Sequence, residues 1–139
     1  MQIRPFHIND QTDVIQLWSD CGLVKPQNNP AKDICRKLNI QPELFLVGYN
    51  SSGKIIASIM GGYEGHRGWI NYLAVHPSQQ RCGYARLLML EIEHRLQALG
   101  CPKINLQIRD TNTEVLAFYR AIGYLEDPVI SFGKRLETD

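Results

Sequence analysis

Residues 71–100 constrain the fold most, because they change from one structural period to another across a single loop. Asn71, Tyr72, Leu73, Ala74 and Val75 mix aromatic and branched side chains, as a strand does. Pro77 follows His76 and stops that strand, since proline has no N–H for the ladder. Ser78, Gln79, Gln80 and Arg81 are polar and read as a loop. From Ala85, the residues Leu87, Leu88, Leu90, Ile92, Leu96 and Leu99 recur at helical spacing, until Gly100 ends the run.

The chemistry of this stretch lies where the loop enters the helix. The first turn of a helix leaves backbone N–H groups without intrahelical partners, and with the macrodipole they form an anion site. Gly83 lets backbone approach a ligand closely, and Ala85 is small enough not to obstruct it. Arg81 adds a fixed positive charge, and Arg86 a second. A phosphate or pyrophosphate suits such a junction. The same pattern also suits an ordinary strand-to-helix connection with a glycine for turn geometry. The two commonest phosphate loops, G-x-x-x-x-G-K-[ST] and G-x-G-x-x-G, are absent.

The remaining composition narrows the classes. A chain of 139 residues is expected to form a single domain, residues 1–139, with a sizeable core. Fifteen lysines and arginines against 14 aspartates and glutamates give a net charge of +1. No basic stripe argues for nucleic acid. No apolar run approaches the roughly 18 residues of a membrane span, and the N-terminal residues lack a signal-peptide core. The expectation is a cytoplasmic protein with neither a nucleic-acid nor a membrane partner. Cys21, Cys35, Cys82 and Cys101 show no C-x-x-C pairing, and His7, His66, His76 and His94 show no ligand spacing. No metal is expected, and the thiols read as small packing residues. Cys82, in the loop, has no histidine partner to make it a nucleophile.

Elsewhere the pattern predicts a short strand over residues 3–6. A helix capped by Asn9 and Asp10 follows, carrying Val14, Ile15, Leu17 and Trp18. A second helix presents Ile34, Leu38 and Ile40. Strands are expected over 44–49, over 55–63 with an interruption at Gly61 and Gly62, and over 69–75. After the long helix come a strand over 103–108 and a helix capped by residues 110–112, carrying Val115, Leu116, Phe118, Tyr119 and Ile122. One or two closing strands are expected within 124–136. That order suggests an α/β mixed sheet with helices on both faces.

Gln80, Arg81, Cys82, Gly83, Tyr84 and Ala85 match the Q/R-x-x-G-x-G/A signature, which resembles the GNAT superfamily of N-acetyltransferases. A second match follows in Asn112, Ala117, Phe118, Tyr119, Gly123 and Tyr124. Further stretches, among them Met60 to Tyr63 and Gly65 to Gly68, resemble one bacterial member. The resemblance implies an acyl-CoA N-acyltransferase fold: a central, mostly antiparallel sheet, one parallel strand pair that splays apart, and helices on both faces. It implies acetyl-CoA as co-substrate and an amine as acceptor. Leu73, Ala74 and Val75 would line the pantetheine arm. Gln80, Arg81, Cys82, Gly83, Tyr84, Ala85 and Arg86 would hold the pyrophosphate, with Asn112 and Tyr119 also at the cofactor. It leaves room for a homodimer joined at a sheet edge or C-terminal strand.

The implied reaction is direct attack of an amine on the thioester through a tetrahedral intermediate. Tyr119 is the implied proton donor. Its reference pKa near ~10 lies above a thiol's ~8.5, so it can donate as thiolate charge develops. Some relatives place a glutamate where this chain has Gln107, which cannot act as a base. Glu64 and His66 are the nearest candidates for that role. The missing strand carboxylate also supports a rival: a non-catalytic acetyl-CoA-binding sensor or regulatory module.

Overall fold

The computed structural model describes all of residues 1–139, and the chain divides into two compact units. One comprises residues 1–105 with Asp139; the other comprises residues 106–138.

The first unit is built on a five-stranded sheet: β1 (Gln2–Pro5), β2 (Phe45–Tyr49), β3 (Ile55–Tyr63), β4 (Gly68–Val75) and β5 (Ile104–Asn105), in that spatial order. The first three pairings are antiparallel and β4–β5 is parallel. Asn50 makes the β2–β3 turn, its side-chain oxygen accepting the N–H of Ser52 and Lys54. Three helices accompany the sheet: α1 (Gln11–Asp20), α2 (Pro30–Leu38) and α3 (Tyr84–Ala98). Asn29 caps α2 by accepting the Lys32 N–H, and Pro30 occupies the first turn, where a missing N–H costs nothing. Asp10 precedes α1 but makes no side-chain cap bond. Its carboxylate instead takes both Arg4 nitrogens, at 2.7 and 2.9 Å, and the His7 N–H.

Two adjacent glycines show how the faces are used. The strand β3 runs unbroken through Gly61 and Gly62, against the expected interruption. A Cβ at Gly61 would lie 2.7 Å from Ile92 of α3, whereas one at Gly62 would face Lys37 and Gln41. Successive strand residues point to opposite faces, so α3 covers one face and α2 the other. Past the end of β2, side chains replace the missing strand. Lys37 donates to the Gly61 carbonyl, and Gln41 pairs with both the N–H and the carbonyl of Tyr63. Burial lowers the Lys37 pKa.

The α1–α2 face holds the aromatic core. Phe6 stacks on Phe45 at 4.3 Å, and the fully buried Trp18 stacks on Tyr72 at 3.8 Å. Truncating such a residue costs about 3–5 kcal/mol. On the other face α3 buries Leu88, Met89, Ile92 and Leu96. Leu87, Leu90 and Leu99, counted in the helical pattern, are exposed instead, as is Ile40 after α2. One sheet covers one stripe of a helix, and those residues fall outside it.

The strand expected over 103–108 is only two residues long, because its ladder with β4 consists of Gly68 with Ile104 and Trp69 with Asn105. Beyond that pair the backbone has no strand partner. In the second unit, α4 (Thr113–Ala121) begins after Asn112 and ends before Gly123, whose φ of +97° closes it. The expected closing strands do not form. Leu125, Val129, Ile130, Phe132 and Leu136 are exposed, and a Gln107–Ser131 side-chain hydrogen bond ties that segment internally. No helix is long and apolar enough to cross a membrane.

Candidate active site

The strand β4 is paired with β3 from end to end, but with β5 at only two residues. Its second edge is therefore without a strand over residues 70–75, a length of about 20 Å. Within that edge Met60 pairs with Asn71 and Ser58 with Ala74, so Tyr72 and Leu73 together oppose Ile59 as a β-bulge. Tyr72 takes a φ of +51°, which is costly for a non-glycine residue and must be held by its surroundings. Three contacts hold it. Its ring stacks on Trp18, its hydroxyl donates to Asp33 at 2.6 Å, and its carbonyl accepts from Ser58 Oγ at 2.9 Å. Ser58 in turn accepts the Trp18 indole N–H at 2.8 Å. Burial and the Asp33 hydrogen bond push the Tyr72 phenol pKa upward, so it stays protonated.

At the end of the open edge, the Val75 carbonyl accepts from Cys21 Sγ and from Gln80 Nε2, each at 3.3 Å. Burial raises the Cys21 pKa, which keeps the thiol a neutral donor. The chain then makes a short 3-10 turn, Pro77–Gln79, and passes through Arg81 at φ +64° to Gly83 at φ +79°. Gly83 is the N-cap of α3 and makes no side-chain cap. The first intrahelical bond runs from Leu87 N to Gly83 O, so the amides of Tyr84, Ala85 and Arg86 have no helical acceptor. A Cβ at Gly83 would meet nothing within 4 Å. The space in front of the helix is open, and Arg81 and Arg86 are exposed beside it. Cys82 is exposed and its thiol donates to the Gln80 carbonyl.

The structure thus gathers Leu73, Ala74, Val75 and the loop residues Gln80, Arg81, Cys82, Gly83, Tyr84, Ala85 and Arg86 along one line. An extended chain can pair with the strand edge while an anion meets the helix amides. Glu64 and His66 lie elsewhere, in the β3–β4 turn at the opposite end of β4. The Glu64 carboxylate accepts the backbone N–H groups of His66 and Arg67, which lower its pKa. It caps its own turn, and that makes it a weak base.

On α4, Asn112 occupies the N-cap without a side-chain cap bond, against the expected capping role. Tyr119 is the buried residue of that helix, 7% exposed, with its ring edge-on to Phe118 and Tyr124. Burial pushes its pKa up to about 12. Val115, Leu116 and Ile122, expected to be the buried side of α4, are only half-buried. Sequence reasoning missed Ser58, Tyr72 and Cys21. The one signal was Ser58, a hydroxyl inside the apolar run of residues 55–60, and it did not name a partner. No three His, Cys, Asp or Glu side chains converge as a metal-binding group.

A mixed sheet whose parallel pair parts beside a glycine-led helix N-terminus is the acyl-CoA N-acyltransferase fold. The chain belongs to the GNAT acetyltransferase family, whose profile matches residues 12–124. An acetyltransferase of Yersinia enterocolitica is 47% identical over 139 residues, spanning 100% of this chain and 98% of that protein. The aminoglycoside 6'-N-acetyltransferase of Acinetobacter haemolyticus superposes with a TM-score of 0.76 at 20% identity, over 99% of this chain and 100% of that one. The NatB acetyltransferase complex bound to CoA and MES gives 0.77 at 24%, over 88% and 82%. These two structures share the fold. Family and relatives together make the chain an N-acetyltransferase.

Proposed function

We propose that the protein moves the acetyl group of acetyl-CoA to a primary or N-terminal amine by direct attack. The observation that carries this is the open edge of β4 leading into the uncapped N-terminus of α3. In this reading the backbone of Leu73, Ala74 and Val75 pairs with the pantetheine arm. The amides of Tyr84, Ala85 and Arg86, with the charges of Arg81 and Arg86, hold the pyrophosphate. Gln80 and Cys82 shape the loop, and Gly83 keeps the approach clear. Asn112 adds a cofactor contact.

The amine nitrogen attacks the thioester carbon, and the oxyanion is held by backbone N–H groups of the open edge. The C–S bond then breaks, the thiolate leaves, and the nitrogen loses its proton. With Tyr119 near 12 and a thiol near ~8.5, full transfer of the phenol's proton is uphill by about 5 kcal/mol. Tyr119 is therefore assigned as the hydrogen-bond donor that stabilises the departing sulfur. It keeps its proton at every working pH, and solvent protonates the released thiolate. The amine's proton passes to solvent or to His66, because Glu64 is engaged in its turn.

Calorimetry and thiol release test the reading together. Acetyl-CoA should bind in the micromolar range, about 8 kcal/mol, and thiol should appear only when an amine is present. Gly83→Asp places a carboxylate at the anion site and should abolish measurable binding, whereas Arg81→Ala should cost about 1–3 kcal/mol. Unchanged affinity in Gly83→Asp removes the assignment.

A further inference from the structure

We propose that Asn105 is a positioning residue for the acceptor amine, its side-chain oxygen taking a hydrogen bond from an N–H of the attacking nitrogen. This rests on the acetyl-transfer reading above.

The Asn105 Oδ1 is the one buried side-chain nitrogen or oxygen in the chain that lacks a hydrogen-bond partner. Such groups are rare in folded proteins, and each costs its full desolvation. Its place in the fold supplies an explanation. Asn105 ends β5, and its register partner Trp69 belongs to the last pair before β4 and β5 part. The unpaired oxygen therefore lies at the root of the fork. An extended arm that starts from the Gly83 end of β4 and follows the open edge runs toward this root.

The oxygen itself is enclosed, but the face its side chain belongs to is open nearby, so an amide rotation brings it to an incoming amine. A Cβ at Gly68 would meet Cys101, Ile104 and Leu96, on the α3 side. The next pair, Trp69 with Asn105, points to the opposite face. There Trp69 is 39% exposed, and Asn71, two residues on, is exposed as well. An amine reaching this face meets an indole ring, which attracts cations, and an amide that turns readily about its last torsion. An amide oxygen accepts from N–H and takes no proton, so it orients the amine without acting as the base. A primary amine can give one N–H to Asn105 and still direct its lone pair at the carbonyl carbon. A site with a polar group waiting for that N–H penalises acceptors that lack it.

Asn105→Leu separates this role from a structural one. Removing an unpaired buried oxygen should leave thermal stability equal or higher. The KM for the amine should rise about tenfold or more, while acetyl-CoA affinity by calorimetry stays within about twofold. Asn105→Asp keeps an accepting oxygen, so amine KM should stay near that of the unsubstituted protein. Its charge should also move the acidic limb of the pH–rate profile to higher pH by favouring the ammonium form. If the leucine variant does not fold, Asn105→Ala gives the same reading. The assays use propylamine, spermidine, lysine and an alanyl peptide as acceptors. An amine KM within about twofold of the unsubstituted protein overturns the inference. Weakened acetyl-CoA binding with normal amine KM also overturns it, by assigning the oxygen to the arm. Absence of turnover in the unsubstituted protein overturns acetyl transfer itself, and this inference with it.

Discussion

Ser58→Ala is a small change with two structural consequences. Ser58 is fully buried and its hydroxyl bridges the Trp18 indole N–H and the Tyr72 carbonyl. Alanine fits the space but leaves a buried donor and a buried acceptor unpaired. Each costs about 1–3 kcal/mol, so the expected loss is about 2–6 kcal/mol. For a chain of this size that is a fall of roughly 6–18 °C in Tm. Urea unfolding followed by tryptophan fluorescence measures it. A double-mutant cycle then isolates the indole bond. In a Trp18→Phe background, Ser58→Ala should cost about 1–2 kcal/mol less, because the donor is already gone. The same variant should raise the KM for acetyl-CoA, since Tyr72 at φ +51° sets the direction of Leu73 and Val75. A cost under about 0.5 kcal/mol, with no coupling to Trp18, would refute the bridge.

Tyr119→Phe keeps the buried ring and removes the hydroxyl, so acetyl-CoA affinity should hold while turnover falls about 10²–10³-fold, as for losing one donor to developing charge. The same phenol has a folded pKa near 12 against 10.0 in the unfolded chain. This contribution to folding is therefore fully present below pH 10, and about 3 kcal/mol is lost as pH rises through the folded value, a loss absent in Tyr119→Phe. Glu64→Gln should change kcat by less than about tenfold and leave the acidic limb in place; a loss of about 10²–10⁴ with the limb removed would make Glu64 the base. Asp10 is held below the usual carboxylate range by its Arg4 hydrogen bond, although burial opposes this. Its stabilisation is present above the unfolded pKa of about 3.9 and fades as pH falls through the lower folded value. Acid titration of Asp10→Asn, monitored by circular dichroism, should show a weaker fold at neutral pH and a flatter decline below about pH 4.

Local chemistry determined what the sequence alone could show. Pro77 ends a strand wherever it lies, Gly83 opens α3 at a positive φ, and Asn50 turns the β2–β3 connection. Such signals act over a few residues, so the strand–loop–helix junction and most element boundaries were legible, and the loop motif led to the correct family. The tertiary structure decided whatever depends on partners far apart in the chain. Ser58 meets Trp18 across 40 positions and Cys21 meets Val75 across 54. Neither pairing leaves a trace in local pattern. Helical spacing could not say which leucines of α3 meet the sheet, because a period defines several stripes and packing selects one. The strand pattern after residue 103 promised more ladder than two pairs supply, since strand propensity needs a neighbour to become a strand. The unpaired Asn105 oxygen belongs to the same category: its lack of a partner is a property of the fork between two strands, which exists only once the sheet has formed.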